Sequence, residues 1–388
     1  MLTFFNHKRV AVIFAMVATL SGGAGAAPSA PAEPGVTADE IVVGQSLALT
    51  GPIADLSREI QTGVNAYVES LNRAGGIHGR RLKVVTLDDG YQVPNTVKNV
   101  EQLIKQDKVF ALLNVTGTPH CEAILPMVRT LGVPLFSPFT GADSLRNPMV
   151  PNVFNVRAGY RAETERLVRH LHTVSIKRIG VLYQGSSFGT DGLTGVRAAM
   201  QDLDIKPVAE VVIKADASDT ADAVAKMVEA KPDAVILITA GRPTFSFIQQ
   251  FNKAGGKGVQ FYTLSVMGTA ANIKALGPDG IGVVVASVMP FPWSDANPLV
   301  KEYQAAMRAI GQNDFSFVSL ESYVNAKLLA EALRRAGPDL NRQRLLAAAE
   351  GMGGLDMGGM RVGFSKTSRQ AFKYVELVII GGNGKFIR

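Results

Sequence analysis

Residues 114–128, NVTGTPHCEAILPMV, set His120 beside Cys121, the only cysteine among 388 residues. A thiolate next to an imidazole can act as nucleophile and base, and a His–Cys pair can begin a zinc site. The spacing argues against both. Adjacent residues on a helix do not face each other, and a base works only within hydrogen-bond reach. Zinc needs three or four converging ligands. The five histidines include no His-x-x-x-His pair, and His170 and His172, two apart, point different ways on a helix. No metal, cofactor or catalytic residue is therefore expected. A first-turn thiol has a lowered pKa, yet a lone cysteine more commonly packs as a small buried hydrophobe, and Cys121 is expected to do so.

A second group, YQGSSFGTDGLTGV (183–196), spaces Gly185, Gly189, Gly192 and Gly195 between an apolar run and a helical one. The G-x-G-x-x-G order of a dinucleotide site is absent, and no phosphate-binding G-x-x-x-x-G-K-[ST] occurs anywhere. A tight turn with close helix packing is expected instead. What remains is non-covalent chemistry. Thr118 followed by Pro119 reads as a hydroxyl N-cap and a proline in the first turn. Free N–H groups at such an end favour a carboxylate. Thr140-Gly141 and Thr50-Gly51 repeat the pattern at neighbouring corners.

Those corners need strands to carry them. Apolar runs at 41–49, 82–89, 109–115 and 134–138 alternate with helical patterns, including Ile60, Val64, Tyr67, Val68 and Leu71, and a helix from Pro94 to Gln106. After VFNVRAGY (153–160) the series restarts. Strands are expected at 178–183, 208–213, 233–239, 259–264 and 281–288, with helices at about 190–203, 219–230 and 243–254. Three helices follow (about 297–310, 319–336 and 341–350), then a hairpin from 373. Two series of β-α units predict two parallel, doubly wound α/β sheets, with ligands bound at the carboxyl ends of the strands.

Composition narrows the setting. His7, Lys8 and Arg9 precede the apolar run Val10–Leu20 and a small-residue stretch, the pattern of a secretory signal, residues 1–26, cleaved near Ala26. The run is shorter than the ~20 residues that span a bilayer. Residues 27–37, rich in Pro and Ala, read as a disordered lead-in. One cysteine allows no internal disulfide, so stability must come from packed cores. The formal charge of +7 is scattered, without the basic stripe of a nucleic-acid footprint.

GQSLALTGPIADL, NRAGGIHGRRLKVVTLDDGY, TGTPHCEAILPMV, GVPLFSPFTGADSLRNP, FNVRAGY and YQGSSFGTDGLTGV together resemble the type I periplasmic solute-binding proteins of ABC importers, branched-chain amino acid class. The resemblance implies two Rossmann-like lobes joined by a three-crossing hinge, with lobe 1 at 38–157 plus 288–360 and lobe 2 at 158–287 plus 361–388. The crossings would fall near Arg157, Ser287 and 358–364. It further implies a monomeric periplasmic protein, not an enzyme, that closes on a small carboxylate-bearing solute and delivers it to an inner-membrane ABC permease. A sensory amide- or urea-binding protein is the alternative. The positions matching the family's ligand site are Thr118, Thr140, Gly141, Ala142, Phe188, Gly241, Arg242 and Ser265, with Thr50 and His120 as further candidates. Where the family often places an acid against a ligand ammonium, this chain has Ser265. A buried ammonium without an acid is costly, so a carboxylate lacking that group is expected: an aromatic or aliphatic acid, with an amino acid as the other option.

Overall fold

The computed structural model describes residues 1–3, 33–294 and 296–388. The expected signal segment lies almost wholly outside them. Residues 33–37, expected within an unstructured lead-in, form a turn, and Val36 bridges back to Ile41.

The first series runs β1 (Glu40–Leu47), α1 (Ala54–Arg73), β2 (Arg81–Asp88), α2 (Val93–Lys105), β3 (Ala111–Leu113), α3 (Thr118–Thr130), β4 (Leu135–Phe136) and β5 (Val153–Phe154). The second runs α4 (Tyr160–Thr173), β6 (Ile179–Gln184), α5 (Ser187–Gln201), β7 (Ala209–Ile213), α6 (Thr220–Glu229), β8 (Ala234–Ile238), α7 (Arg242–Lys253), β9 (Gln260–Thr263), α8 (Ala270–Leu276) and β10 (Val284–Ser287). Then come α9 (Pro298–Ala309), α10 (Phe317–Ala336), α11 (Arg342–Glu350), β11 (Glu376–Ile380) and β12 (Phe386–Ile387). Helices α4 and α8 were not anticipated. The first carries only Leu167, Val168 and Leu171 as an apolar stripe in a charged segment, and the second is seven residues long.

Among the described residues there are two sheets. The first is parallel, in the order β2-β1-β3-β4-β5. The second repeats that winding as β7-β6-β8-β9-β10, then adds β11 and β12 antiparallel at its edge. Wholly apolar strands such as AVILI of β8 are buried along their length, as sheets covered on both faces require. In each sheet the order reverses beside its first strand, and the carboxyl ends there form a crevice.

The chain passes between the sheets three times: after β5, after β10 and before β11. The first and third passages run side by side. Asn155 N–H donates to the Arg369 carbonyl (2.7 Å), and Ala371 and Phe372 N–H donate to the Asn155 and Val156 carbonyls (2.8 and 3.1 Å). The third passage thus lies beyond 358–364, where it was expected. Helices α9 and α10 pack on α1 and so belong with the first sheet.

Helices α1 and α10 approach through Gly63, where a β-carbon would sit 2.1 Å from the Ser319 carbonyl oxygen. Beside it the Tyr67 and Tyr323 rings meet edge to face at 5.2 Å. The Gly63→Ala variant is expected to force the helices apart and lose about 1–3 kcal/mol. A urea-unfolding midpoint equal to wild type would contradict this close packing.

Candidate functional site

A small cavity lies between the two sheets at the carboxyl ends of their strands. It is lined by Ile53 and Leu56 after β1, Tyr91 after β2, and Thr116, Gly117 and Thr118 after β3. Phe139 follows β4, Tyr160 follows β5, Phe188 follows β6, Ala240 follows β8 and Val266 follows β9. It leaves about 20 Å³ of free space, room for roughly one water. The halves touch around it. Asp143 N–H donates to Asp191 Oδ1 across the gap at 3.0 Å, and a β-carbon on Gly241 would lie 2.4 Å from the Pro52 carbonyl oxygen.

The polar edge of the cavity is the start of α3. Thr118 is not the cap of this helix but its first residue. Gly117, at φ 99°, takes the cap position, and a β-carbon there would fall 2.6 Å from His120 Nδ1. Released from capping, the Thr118 hydroxyl shares a hydrogen bond with the Thr140 hydroxyl at 2.6 Å. The N–H groups of Thr118 and His120 stand in the first turn, where no helical carbonyl reaches them; Pro119 between them has none to offer.

The other expected residues are placed as follows. Phe188 lines the cavity, its ring 5.2 Å from that of Tyr160. Thr140 accepts from the Ala142 N–H at 3.2 Å, and Gly141 lies under Tyr160, so these three stand behind the lining. His120 is buried and stacks on Tyr91 (4.7 Å between ring centres) without lining the cavity. Burial holds its imidazole below the usual pKa, against the pull of Asp89. Thr50 is exposed, its hydroxyl given to Asp88 at 2.8 Å, and Arg242 is exposed on the first turn of α7.

Ser265 is engaged elsewhere. Its N–H and hydroxyl donate to Glu163 (2.8 and 3.1 Å), and Arg157 donates to its hydroxyl. Arg157 lies between Glu163 of α4 and Glu321 of α10, 3.6 Å from each, all three buried. Burial pushes both carboxyls up, Glu321 to about 7, while Arg157 pulls them down. The guanidinium also lies 5.0 Å from the Phe139 ring centre and 5.7 Å from that of Tyr160. An acid therefore does reach the Ser265 loop, but Arg157 occupies it, and among the described residues no charged side chain lines the cavity.

The sequence reading missed Tyr91, Phe139 and Tyr160, the aromatic walls. Each lies inside a recognised motif (DDGY, SPFTG, RAGY), where attention went to the hydroxyls and glycines. Tyr91 has a left-handed backbone (φ 60°), steadied by its N–H donating to Asp89 Oδ1 at 2.9 Å. An aromatic directly after a strand-end Asp-Gly was the available signal.

A family model described as "Periplasmic binding protein" matches residues 40–385. The chain belongs to the type I periplasmic binding proteins of the Leu/Ile/Val-binding class. It is 34% identical to a substrate-binding periplasmic protein from Ralstonia solanacearum, with a TM-score of 0.84 over 90% of this chain and 99% of that one. A possible leucine/isoleucine/valine-binding protein from Rhodopirellula baltica SH 1 matches at 30% identity and TM-score 0.86, over 93% and 98% of the two chains. The Leu/Ile/Val-binding protein homolog 7 of Brucella abortus is 24% identical over 331 residues, 80% of this chain and 79% of that protein. Members of the family are solute-binding proteins and not enzymes, and the family works in the periplasm.

Cys121 is fully buried, its thiol donating to the Val115 carbonyl at 3.1 Å, and burial raises its pKa far above the usual range. The folded protein should therefore resist a thiol reagent such as Ellman's and react with one equivalent only when unfolded; fast labelling of the native state would show a reactive thiol. Removing Arg157 leaves two buried carboxylates unpaired, so Arg157→Met should cost about 3–5 kcal/mol. Both carboxyls are already raised, so this loss should be largest at pH 8 and shrink towards pH 5 as they protonate. Urea unfolding at the two pH values reads the difference.

Proposed function

We propose that the cleft takes a small apolar carboxylate without an ammonium group, an aromatic or branched aliphatic acid, and that the protein hands it to a membrane ABC permease. One observation carries this reading: the cavity is walled by Tyr91, Phe139, Tyr160, Phe188 and aliphatic side chains, and its one polar edge is hydroxyls and N–H groups. Apolar walls suit a ring or branched chain. Donors at a helix start suit a carboxylate. A ligand ammonium would be buried with no acid to meet it, since Glu163 is held by Arg157.

The space now present holds about one water, so the solute enters when the halves part. Closure then brings Phe188 and Val266 of one half against Thr118 and Leu56 of the other. A solute that contacts both halves only when they meet shifts the population towards the closed form by its differential affinity.

Thermal shift with benzoate, 4-hydroxybenzoate, 4-methyl-2-oxopentanoate and leucine tests the reading. A ligand at 100 times its Kd adds ~2.7 kcal/mol. The three acids without an ammonium are expected to raise Tm, with leucine giving no shift. A shift with leucine alone would sink the proposal. For an acid that binds, Phe188→Ala and Thr118→Val should each weaken affinity by about tenfold or more, as measured calorimetrically.

A further inference from the structure

A second polar point adjoins the cavity, on the side away from Thr118. Tyr91 follows β2, whereas Thr118 and Thr140 follow β3 and β4, and β1 lies between the two groups in the sheet. From the other half, Gln184 ends β6 just before the turn that carries Phe188, and its side-chain amide faces the Tyr91 hydroxyl. Only 2% of Gln184 is exposed, yet among the described residues nothing donates to its Oε1, and its Nε2 makes one long bond, 3.5 Å, to the Ser186 hydroxyl. We propose that this point reads a hydroxyl on the solute: the cleft takes a hydroxylated aromatic acid, and Gln184 and Tyr91 select for the hydroxyl.

The unused hydrogen-bonding capacity matches that group. An amide oxygen accepts, and a phenol hydroxyl both donates and accepts. Gln184 lowers the Tyr91 pKa, as a donor to the phenol oxygen does; burial outweighs it and pushes the hydroxyl up to about 12, so the proton stays in place and is free to be donated. A solute hydroxyl set between the two accepts from Tyr91 and donates to Gln184 Oε1. A methyl group or a bare ring edge satisfies neither, and a buried amide oxygen left unpaired is costly.

The surroundings favour a neutral polar group over a charged one. The Tyr91 ring is backed by His120, stacked on it at 4.7 Å, and both imidazole nitrogens are buried without a partner, as is the Ser187 hydroxyl in the first turn of α5. Asp89, the acid that acts on His120, already accepts from Ser46, Thr96 and the Tyr91 N–H. A second carboxylate on the solute would find no cation here, and an ammonium no free acid, because among the described residues no charged side chain lines the cavity. A hydroxyl needs neither.

The free space of about 20 Å³ means that the halves stand wider around a solute than they do without one. Tyr91 belongs to one half and Gln184 to the other, so the interval between them widens as the cavity does. A hydroxyl that fills this interval touches both halves at once. It therefore adds to affinity for the closed form and not for the open one. The inference rests on the proposed carboxylate for the solute's orientation, with the acid end at Thr118 and the ring towards Phe188.

Binding of benzoate, 3-hydroxybenzoate, 4-hydroxybenzoate, phenylalanine and tyrosine is measured calorimetrically on wild type, Gln184→Met and Tyr91→Phe, with ligand-free melting curves to show that the variants are folded. The better hydroxybenzoate is expected to bind wild type at least about tenfold more tightly than benzoate. Gln184→Met, close to glutamine in shape, should bring that ratio near unity, and Tyr91→Phe should reduce it severalfold. Equal affinities for benzoate and both hydroxybenzoates overturn the proposal, as does a preference that both variants keep. If the amino acids bind and the benzoates do not, the proposed solute class fails instead, and the tyrosine-to-phenylalanine ratio decides: about tenfold or more, lost in Gln184→Met, upholds the hydroxyl subsite, and a ratio near unity overturns it. Binding of none of these compounds overturns both.

Discussion

Arg157 leaves the first sheet where the chain first crosses to the second, and its guanidinium has no route to water. A buried guanidinium must find carboxylates, and the two it finds come from different halves: Glu321 from a helix of the first, Glu163 from a helix of the second. The Phe139 and Tyr160 rings lie against the same group and also wall the cavity. The position of one side chain therefore fixes three things together: the angle of the first crossing, the loop carrying Ser265 and Val266, and the aromatic side of the cleft. A neighbouring cation, Arg146, donates to the Ala142, Thr140 and Arg157 carbonyls, which holds the loop after β4 to the same centre.

This arrangement explains why the cavity carries no charge although charged groups abound near it. Each potential ligand for an ammonium has a prior partner within the protein. Asp89 accepts from Ser46, Thr96 and the Tyr91 N–H, and Glu163 accepts from Ser265 and faces Arg157. The polar groups left facing the cavity are hydroxyls and helix-end N–H groups. The character of the cavity wall follows from what the framework has already consumed, more than from any one residue at the surface of the cleft.

The strand-helix alternation was legible because parallel strands buried on both faces are continuous apolar runs, as in VFALLNV and AVILI. Helix α4 was not, because YRAETERLVRHLHT has a narrow apolar stripe and two histidines that drew a different question. Of the candidate site, Thr118 was legible as a hydroxyl at a strand end, while Phe188 was named only through the family resemblance; both line the cavity. The role of Thr118 was misread, since capping is local chemistry while its true partner, Thr140, lies 22 residues away. Arg157, Glu163 and Glu321 were invisible for the same reason. Their meaning exists only once segments more than a hundred residues apart have been folded together.

The three crossings bear on how such a chain is built. The first sheet is covered by α9 and α10, and the second is finished by β11 and β12, the last strands of the chain. A chain interrupted after β10 would hold every parallel strand, yet α1 would expose the face that α10 covers, and β10 would be an unpaired edge. Neither half can reach its final form until nearly the whole polypeptide is present. Both halves are completed from the C-terminal end of the chain, and partial lengths are left with unfinished surfaces.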